Sequence, residues 1–507
     1  MNAIAKEFKK LNLKKFLIIY ILVQPIIDVV TSICVRKINP TLTLGIIVRS
    51  VFLFFLAVYS FIIANKKWRK IIFGYFLVLS MFVSVFLIRT ISSMSFSIIF
   101  IQLKALFKIF YFPSLLMVLV PIMKKINIDA KYLKYTMFGY VTIITLSTIF
   151  GMAFDSYADG SGYGKNGLFY AANEIGTILS ILMSSLFMDI LKVPVIKNKK
   201  EIIKKETINL SILGCVIFSS LWMGTKVPFL GLVFTIVVSI GVCVINIIRG
   251  INIKFYICRT LVLIITFISI FSIIEYTPVG KNLGISANKI IKNFQESQTE
   301  KIENASTNQI EEKNKDKVNQ IEEIDKDKVN QLEEKGKDKV NQIEEKDKDK
   351  VNQIEKSEKK NVSANSNVKN VVLSNRNIYY NNTLEVYKSS SVYSKFLGIG
   401  FLDNDNGKVL ERKHIEIDYF DIIFCTGLVG AILFFMPLII SLLYIAKLAI
   451  SRKNVFFDNK VVFYGYSVFI ALTIAGMAGH VFTAPSVSFY LAIVIYQLIN
   501  ILKEISD

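Results

Sequence analysis

The sequence predicts an all-α polytopic membrane protein with about twelve transmembrane helices. Of its 507 residues, 53% are hydrophobic, and the mean hydropathy is +0.50. Apolar runs of about 18 or more residues recur along the chain, and a helix of that length can cross a bilayer. A transmembrane barrel would instead show strands of about ten residues with alternating polarity. A helical membrane bundle is therefore the expected class.

The expected spans fall into two groups on either side of one long polar loop. Their approximate boundaries are 16–36, 41–64, 71–89, 97–122, 132–154, 168–191, 207–223, 227–248, 255–275, 417–446, 461–479 and 482–502. The chain is accordingly divided into residues 1–275 with spans one to nine, the loop 276–415, and residues 416–507 with spans ten to twelve.

Basic residues predict the orientation of these spans. The N-terminal segment and every second connection are rich in Lys and Arg, which mark the cytosolic side of a membrane. Both termini are therefore expected in the cytosol, with one large external loop between spans nine and ten. The net charge of +21 is spread over the ends of apolar runs rather than gathered in a soluble domain, so no nucleic-acid partner is expected.

The long loop contains a repeat of eleven residues, NQIEEKDKDKV and its variants, at about 308–356. Only two residues of this unit are apolar, so the repeats can bury little surface. We interpret them as a charge-balanced helical spacer, and residues 297–360 as dispensable for chemistry. A ruler for a glycan or a partner protein is the alternative.

The sequence contains no clear metal, disulfide or cofactor motif. Its five cysteines lie in or beside apolar runs without paired spacing in a loop. Asp403 and Asp405 match the spacing of an Asp-x-Asp metal motif, but a Gly-terminated turn is the simpler interpretation. Neither a metal nor another cofactor is therefore expected.

Several charged residues lie inside the expected spans, where they are costly and usually face a polar interior. Asp28 and Arg49, in the first two spans, either form an interhelical ion pair or belong to a site. Lys104 and Lys108 are one helical turn apart in the fourth span and cannot neutralise each other. They require an anion from the protein or from a ligand.

Two turns on the expected outer face carry further candidates. Asn173 and Glu174 begin the sixth span after a glycine-rich loop, and a carboxylate at that position indicates a site facing water. Lys226 stands in the tight turn WMGTKVPFLGL before the eighth span. It either snorkels along the end of that span or points into an external cavity.

The chemistry is expected between Ser374 and Gly430, at the start of the tenth span. This stretch combines the lone Arg376 in SNRNIYY, the turn FLGIGF, and the acidic segment ERKHIEIDYFDIIFCTGLVG. The acidic residues Glu416 and Asp418 either occupy the first turn of a helix, which the macrodipole favours, or include a general base. Burial at the membrane boundary would raise the pKa of such a base.

The order of these motifs resembles the O-antigen ligase and polymerase superfamily of bacterial envelopes. GLFYAANEIG resembles the family's glycine-aromatic-asparagine entry to a span, and GTKVPFLGL its turn with Lys226 at the usual arginine position. SNRNIYY and FLGIGF resemble the loop arginine and the Gly-x-Gly element, Gly398 and Gly400. In the family's re-entry motif a histidine precedes the first glycine of Gly-x-x-Gly by eleven residues. Counting back from Gly427 places Glu416 at that position.

The resemblance implies glycosyl transfer on the outer face of the bacterial plasma membrane. The donor would be an undecaprenyl-diphosphate-linked oligosaccharide and the acceptor a saccharide hydroxyl, so that an envelope or capsular polysaccharide is polymerised. The Glu-x-Asp form favours a polymerase, with ligase-type transfer to a different acceptor as the alternative. Membrane lipid, a flippase and a chain-length regulator are the expected partners.

The expected roles of the candidate residues follow from this chemistry. A leaving diphosphate requires fixed cations, and an acceptor hydroxyl requires a base. The substrate-binding candidates are Arg376, Lys226, Arg49, Lys104, Lys108 and Asn173, and the candidate bases, in order of preference, are Glu416, Asp418 and His414. A lipid-linked oligosaccharide flippase is the rival interpretation, because buried charges could also line a transport path.

Overall fold

The structure is a computed structural model. It describes residues 12–38, 43–91, 96–123, 126–157, 160, 162–194, 198–284, 376–405, 408–412, 415–451 and 455–505. The chain divides into two units: Met1–Leu283 together with Ile378–Asp507, and Gly284–Asn377. The eleven-residue repeats, the segment 297–360 and His414 lie outside the described residues.

Long helices form at each of the twelve apolar stretches that the sequence indicates. They are α1 Leu13–Lys37, α2 Leu44–Ile63, α3 Lys66–Ile91, α4 Phe96–Met123, α5 Ala130–Ile149, α6 Ala172–Ile190, α7 Lys199–Trp222, α8 Lys226–Ile248, α9 Ile253–Ile273, α13 Asp418–Ile450, α14 Asn459–Met477 and α15 Pro485–Glu504. Shorter elements lie between α9 and α13: α10 Pro278–Leu283, α11 Arg376–Ser389, α12 Val392–Leu397, and a hairpin of β1 Leu402–Asp405 and β2 Lys408–Glu411. The hairpin strands are antiparallel, with Leu402 opposite Glu411.

Ten of the described helices are long and apolar enough to cross a membrane. The other two long helices, α5 and α7, begin with lysine-rich turns. The protein is therefore an all-α polytopic membrane protein, as the sequence predicts. The number of twelve spans, the cytosolic termini and the external position of the loop 276–415 stay predictions.

Burial separates central helices from peripheral ones. The apolar windows of α4 and α6 are 83% buried and that of α15 is 94% buried, whereas that of α9 is 17% buried. Peripheral helices expose large apolar side chains, such as Ile265 and Ile268 on α9. Such surfaces are favourable against lipid hydrocarbon but not against water. The central helix α15 packs against α4, α6, α13 and α14.

A break in α13 positions the start of that helix. Gly427 has φ 67° and ψ −174°, a conformation that interrupts the helix and that residues with a Cβ rarely adopt. Next to the break, the carbonyl of Phe424 accepts a hydrogen bond of 2.9 Å from the backbone N–H of Ile399. A Cβ added to Gly398 would lie 2.1 Å from the carbonyl oxygen of Cys425. The two glycine motifs of the sequence therefore pack directly against each other.

Candidate functional site

A cavity of about 330 Å³ lies among α1, α2, α4, α6, the start of α13, the loop 478–484 and the start of α15. We call it the Glu416 cavity. Its charged and polar lining residues are Asp28, Thr31, Thr43, Arg49, Lys104, Lys108, Tyr170, Glu174, Glu416, Asp418, Asp421, His480, Thr483 and Ser486.

The structure brings most of the candidate residues to this one cavity. Those that line it are Arg49, Lys104, Lys108, Glu416 and Asp418. Lys226, the first residue of α8, and Asn173 are not among the lining residues. Arg376 is the first residue of α11 and belongs to the second unit. The catalytic and binding roles of all these residues stay predictions.

Asp28 and Arg49 form the ion pair that the sequence suggested as one interpretation. Nη2 of Arg49 donates to Oδ1 of Asp28 at 2.6 Å and to Oε1 of Gln24 at 2.8 Å. The hydroxyl of Tyr140 donates to the other oxygen of Asp28, also at 2.6 Å. These contacts join α1, α2 and α5. Breaking a buried ion pair would leave an uncompensated charge, so the contacts hold the three helices together at the wall of the cavity.

Cations and carboxylates occupy different elements around the cavity. Lys104 and Lys108 extend from the same face of α4. Among the described residues Lys108 takes part in no ion pair. Glu174, at the start of α6, accepts a hydrogen bond of 2.7 Å from the hydroxyl of Ser486. The cavity therefore combines a cationic wall on α4 with carboxylates from α6 and from the start of α13.

Two carboxylates at the start of α13 hold the loops beside them. Oδ1 of Asp421 accepts from the backbone N–H of Ile415 at 2.9 Å, and Oδ2 accepts from that of Glu416 at 3.1 Å. Asp421 is 4% exposed, so these bonds are largely shielded from water. The carboxylate thereby fixes the backbone on which Glu416 stands.

Asp418 makes a larger set of bonds to the loop between α14 and α15. It accepts from the backbone N–H of His480 at 3.0 Å, from those of Val481 and Phe482 at 2.7 Å each, and from the hydroxyl of Thr483 at 2.9 Å. The residue is 1% exposed. These four accepted bonds occupy both oxygens of the carboxylate, so this geometry favours a positioning role for Asp418 over that of a base.

Glu416 and His480 face each other where these two loops meet. Nε2 of His480 lies 3.7 Å from Oε1 of Glu416. Both residues have positive φ, 61° and 59°, which is uncommon outside glycine and recurs at functional sites. The neighbouring Gly479 permits the approach, because a Cβ there would lie 2.5 Å from the carbonyl oxygen of Glu416.

The carboxylates around His480 change its pKa. Burial of the imidazole by itself lowers the pKa of His480, since it disfavours the charged form. The carboxylates of Glu416, Glu174 and Asp418 outweigh burial, and the pKa of His480 is raised above its ordinary value. The imidazole is thus a stronger base than a free histidine.

His480 is the site residue that the motif analysis missed. The sequence contains a usable signal, because His480 is one of two histidines in the chain and lies between the last two apolar runs. Alternation of the spans places that connection on the same side of the membrane as the start of the tenth span. The family motif indicated His414 instead, because His414 lies two residues before Glu416 in the sequence.

The residues that the structure describes include no group of three or more His, Cys, Asp or Glu side chains arranged to hold a metal ion. The carboxylates of the Glu416 cavity bond instead to backbone N–H groups, hydroxyls and basic side chains.

A bundle of apolar helices around a cavity lined by charged and polar side chains defines a polytopic membrane protein with a candidate functional site between its helices. A family model described as O-antigen ligase like membrane protein matches residues 10–505. The chain belongs to this family. No curated protein matches the sequence. Membership of the family supports glycosyl transfer at a membrane in the biosynthesis of envelope polysaccharide.

Proposed function

We propose that the protein transfers a saccharide from an undecaprenyl-diphosphate-linked donor to a hydroxyl of a second saccharide, and thereby polymerises an envelope polysaccharide. The observation that carries this proposal is the arrangement of the Glu416 cavity. It places an acid–base pair, Glu416 and His480, and two lysines of α4 around one space.

The acid–base centre in this proposal is the pair rather than Glu416 alone. Glu416 lies beside the imidazole and raises its pKa, so that His480 accepts a proton more readily. Asp418 and Asp421 are positioning residues, because they fix the backbone of His480 and of Glu416 respectively. His414 and a base role for Asp418 remain the alternatives from the sequence.

The chemical step needs a base at one end and a cation at the other. The acceptor hydroxyl gives its proton to His480, and its oxygen forms a bond to the anomeric carbon of the donor. The bond between that carbon and the diphosphate oxygen breaks, and the electron pair leaves with the undecaprenyl diphosphate. Lys104 and Lys108 stabilise the negative charge that develops on the leaving group.

The sequence suggests two further cations for donor binding. Arg376 offers planar bidentate contacts and Lys226 a point charge, and both stay candidates for donor binding. Arg49 is already paired with Asp28, so it contributes to the shape of the cavity and to its local charge. Asn173 stays a candidate on the basis of its place at the start of α6.

The test is polymer formation by the purified protein with a labelled lipid-diphosphate-linked repeat unit. Glu416→Gln and His480→Gln should each lower the rate by about a hundredfold or more while donor binding is kept. The double variant should lose little more than either single one, because members of an acid–base unit are not additive. His414→Gln is the matched control and should retain activity.

The opposite pattern would identify a different site. If His414→Gln is inactive and His480→Gln polymerises normally, the base is His414 and the assignment of the pair is wrong. If the wild-type protein lengthens no glycan but moves the lipid-linked donor across vesicles, the flippase interpretation replaces the transferase. Transfer of one unit to a different acceptor without chain growth would indicate a ligase.

A further inference from the structure

A second cavity, of about 1040 Å³, lies at the other end of the central helices. We call it the Asp189 cavity. Its walls are the start of α5, the end of α6, the start of α7, the end of α8, and the facing ends of α14 and α15. Helix α6 runs from Glu174 in the first cavity to Asp189 in the second, a rise of about 22 Å at 1.5 Å per residue. The two cavities are therefore separate sites.

Basic groups exceed acidic ones around the Asp189 cavity. Seven Lys or Arg side chains and five carboxylates line it, which leaves a surplus of two positive charges. Two of the lysines share one carboxylate: Nζ of Lys134 lies 2.6 Å and Nζ of Lys205 2.9 Å from the oxygens of Asp189. Lys192 and Lys204 make no ion pair within the described part of the chain.

Buried polar donors provide a second, independent observation. Asn209 and Gln497 both line the cavity and are each 1% exposed. Oδ1 of Asn209 accepts a bond of 3.1 Å from Nζ of Lys134, but Nδ2 of Asn209 and Nε2 of Gln497 make no hydrogen bond to the described residues. A buried donor without an acceptor is energetically costly, so two such donors in one cavity indicate a ligand that accepts hydrogen bonds.

We propose that the Asp189 cavity binds a phosphate-bearing anion. A phosphate monoester carries a charge of about −1.5 to −2 near neutral pH and presents three acceptor oxygens. Its charge offsets the basic surplus, and its oxygens satisfy the side-chain amides of Asn209 and Gln497. A soluble phosphate monoester or pyrophosphate has this chemistry in full, and the phosphodiester of an anionic lipid headgroup shares it with one negative charge and two free acceptor oxygens. Basic pockets between transmembrane helices do bind anionic headgroups.

The test uses the full-length protein in micelles of neutral detergent. Binding is measured for inorganic pyrophosphate and for phosphatidylglycerol, with phosphatidylcholine as the neutral lipid. Two variants address the cavity: Gln497→Leu removes a buried donor, and Lys192→Gln removes an exposed lysine that makes no ion pair within the described residues. Lys200→Gln is the matched control, because Lys200 is an exposed lysine near the start of α7 that does not line the cavity.

We expect Gln497→Leu and Lys192→Gln each to weaken binding of the anion about tenfold, and Lys200→Gln to leave it unchanged. Tight binding of phosphatidylglycerol alone assigns the site to a lipid headgroup, and competition by pyrophosphate assigns it to a soluble phosphate. Equal affinity of wild type and both cavity variants, or an equal loss in Lys200→Gln, overturns the proposal. Lys108→Gln, which alters the Glu416 cavity, should not change this binding. The binding measurement therefore tests the Asp189 cavity whether or not the protein is a transferase.

Discussion

The carboxylates at the start of α13, in the Glu416 cavity, and the carboxylate of Asp189, in the cavity at the opposite end of α6, make different kinds of contact. In the Glu416 cavity, Asp418 and Asp421 accept hydrogen bonds mainly from the backbone of loops, and the loop residues adopt positive φ. In the Asp189 cavity, the carboxylate of Asp189 pairs with lysine side chains that extend from regular helices. The first arrangement fixes backbone positions, whereas the second leaves long side chains room to adjust.

This difference predicts how each cavity responds to substitution. A site whose backbone is held by buried acceptors is preorganised, which suits an acid–base reaction. A site whose cations stand at the ends of long side chains on helices suits the binding of an anion without chemistry. The following changes test that contrast, from the largest expected effect to the smallest.

Replacement of Asp418 by alanine should have the largest effect. Two buried backbone N–H groups, of Val481 and Phe482, and the partly buried one of His480 would lose their acceptor. Each buried loss costs about 1–3 kcal/mol, so the free energy of unfolding should fall by about 3 kcal/mol or more. Asp458→Ala is the matched control, because Asp458 caps α14 by accepting from the backbone N–H of Lys460 at 2.7 Å. A helix cap contributes about 1 kcal/mol.

Denaturant unfolding of the purified variants in the same detergent compares the two losses. Equal losses in Asp418→Ala and Asp458→Ala would show that the loop at 480–483 does not depend on Asp418, and the contrast between the cavities would fail.

Replacement of Gly479 by alanine should affect activity more than folding. The Cβ would lie 2.5 Å from the carbonyl oxygen of Glu416 and push the acid–base pair apart. A displacement of about 1 Å at a reacting group can lower the rate by about a hundredfold. Gly465→Ala in α14, where no atom lies within 4 Å of the added Cβ, is the control and should keep full activity. Normal polymerisation by Gly479→Ala would show that the close approach of the loops is not needed.

The pH dependence of activity should report the neutral form of His480. Because the carboxylates raise the pKa of His480, kcat/KM should rise with pH through a value above the ordinary histidine pKa. Glu416→Gln removes the largest contribution that raises the pKa of His480, whereas burial of the imidazole remains. The pKa should therefore fall, and the pH profile of the residual activity should shift to lower pH. Rate measurements across the neutral range check the direction, and an unchanged profile would exclude His480 as the titrating base.

Replacement of Lys205 by methionine should have the smallest effect. Its side chain is 33% exposed, and Asp189 keeps Lys134 at 2.6 Å, so the free energy of unfolding should fall by less than about 1 kcal/mol. Lys134→Met should cost more, because the Lys134 side chain is 6% exposed. Unfolding of both variants at low and high salt tests this ranking, and a larger loss for Lys205→Met would contradict it.

The location of the site could be predicted from the sequence in part. Arg49, Lys104 and Lys108 could be identified because a charge within a membrane span requires polar surroundings. Glu416 could be identified from its spacing before Gly427. The bonds of Asp418 could not be predicted in this way. They join residues more than sixty positions apart, and no local pattern specifies which loop a carboxylate meets.

The sequence by itself determined the class of this protein. Long apolar runs with charged ends can form only membrane helices, since each backbone polar group must be satisfied within its own segment. Only the tertiary structure decided that His480 faces Glu416, that Asp28 pairs with Arg49, and that a second basic cavity lies around Asp189. These arrangements depend on which helices pack together, and helix packing is a property of the whole bundle rather than of any one segment.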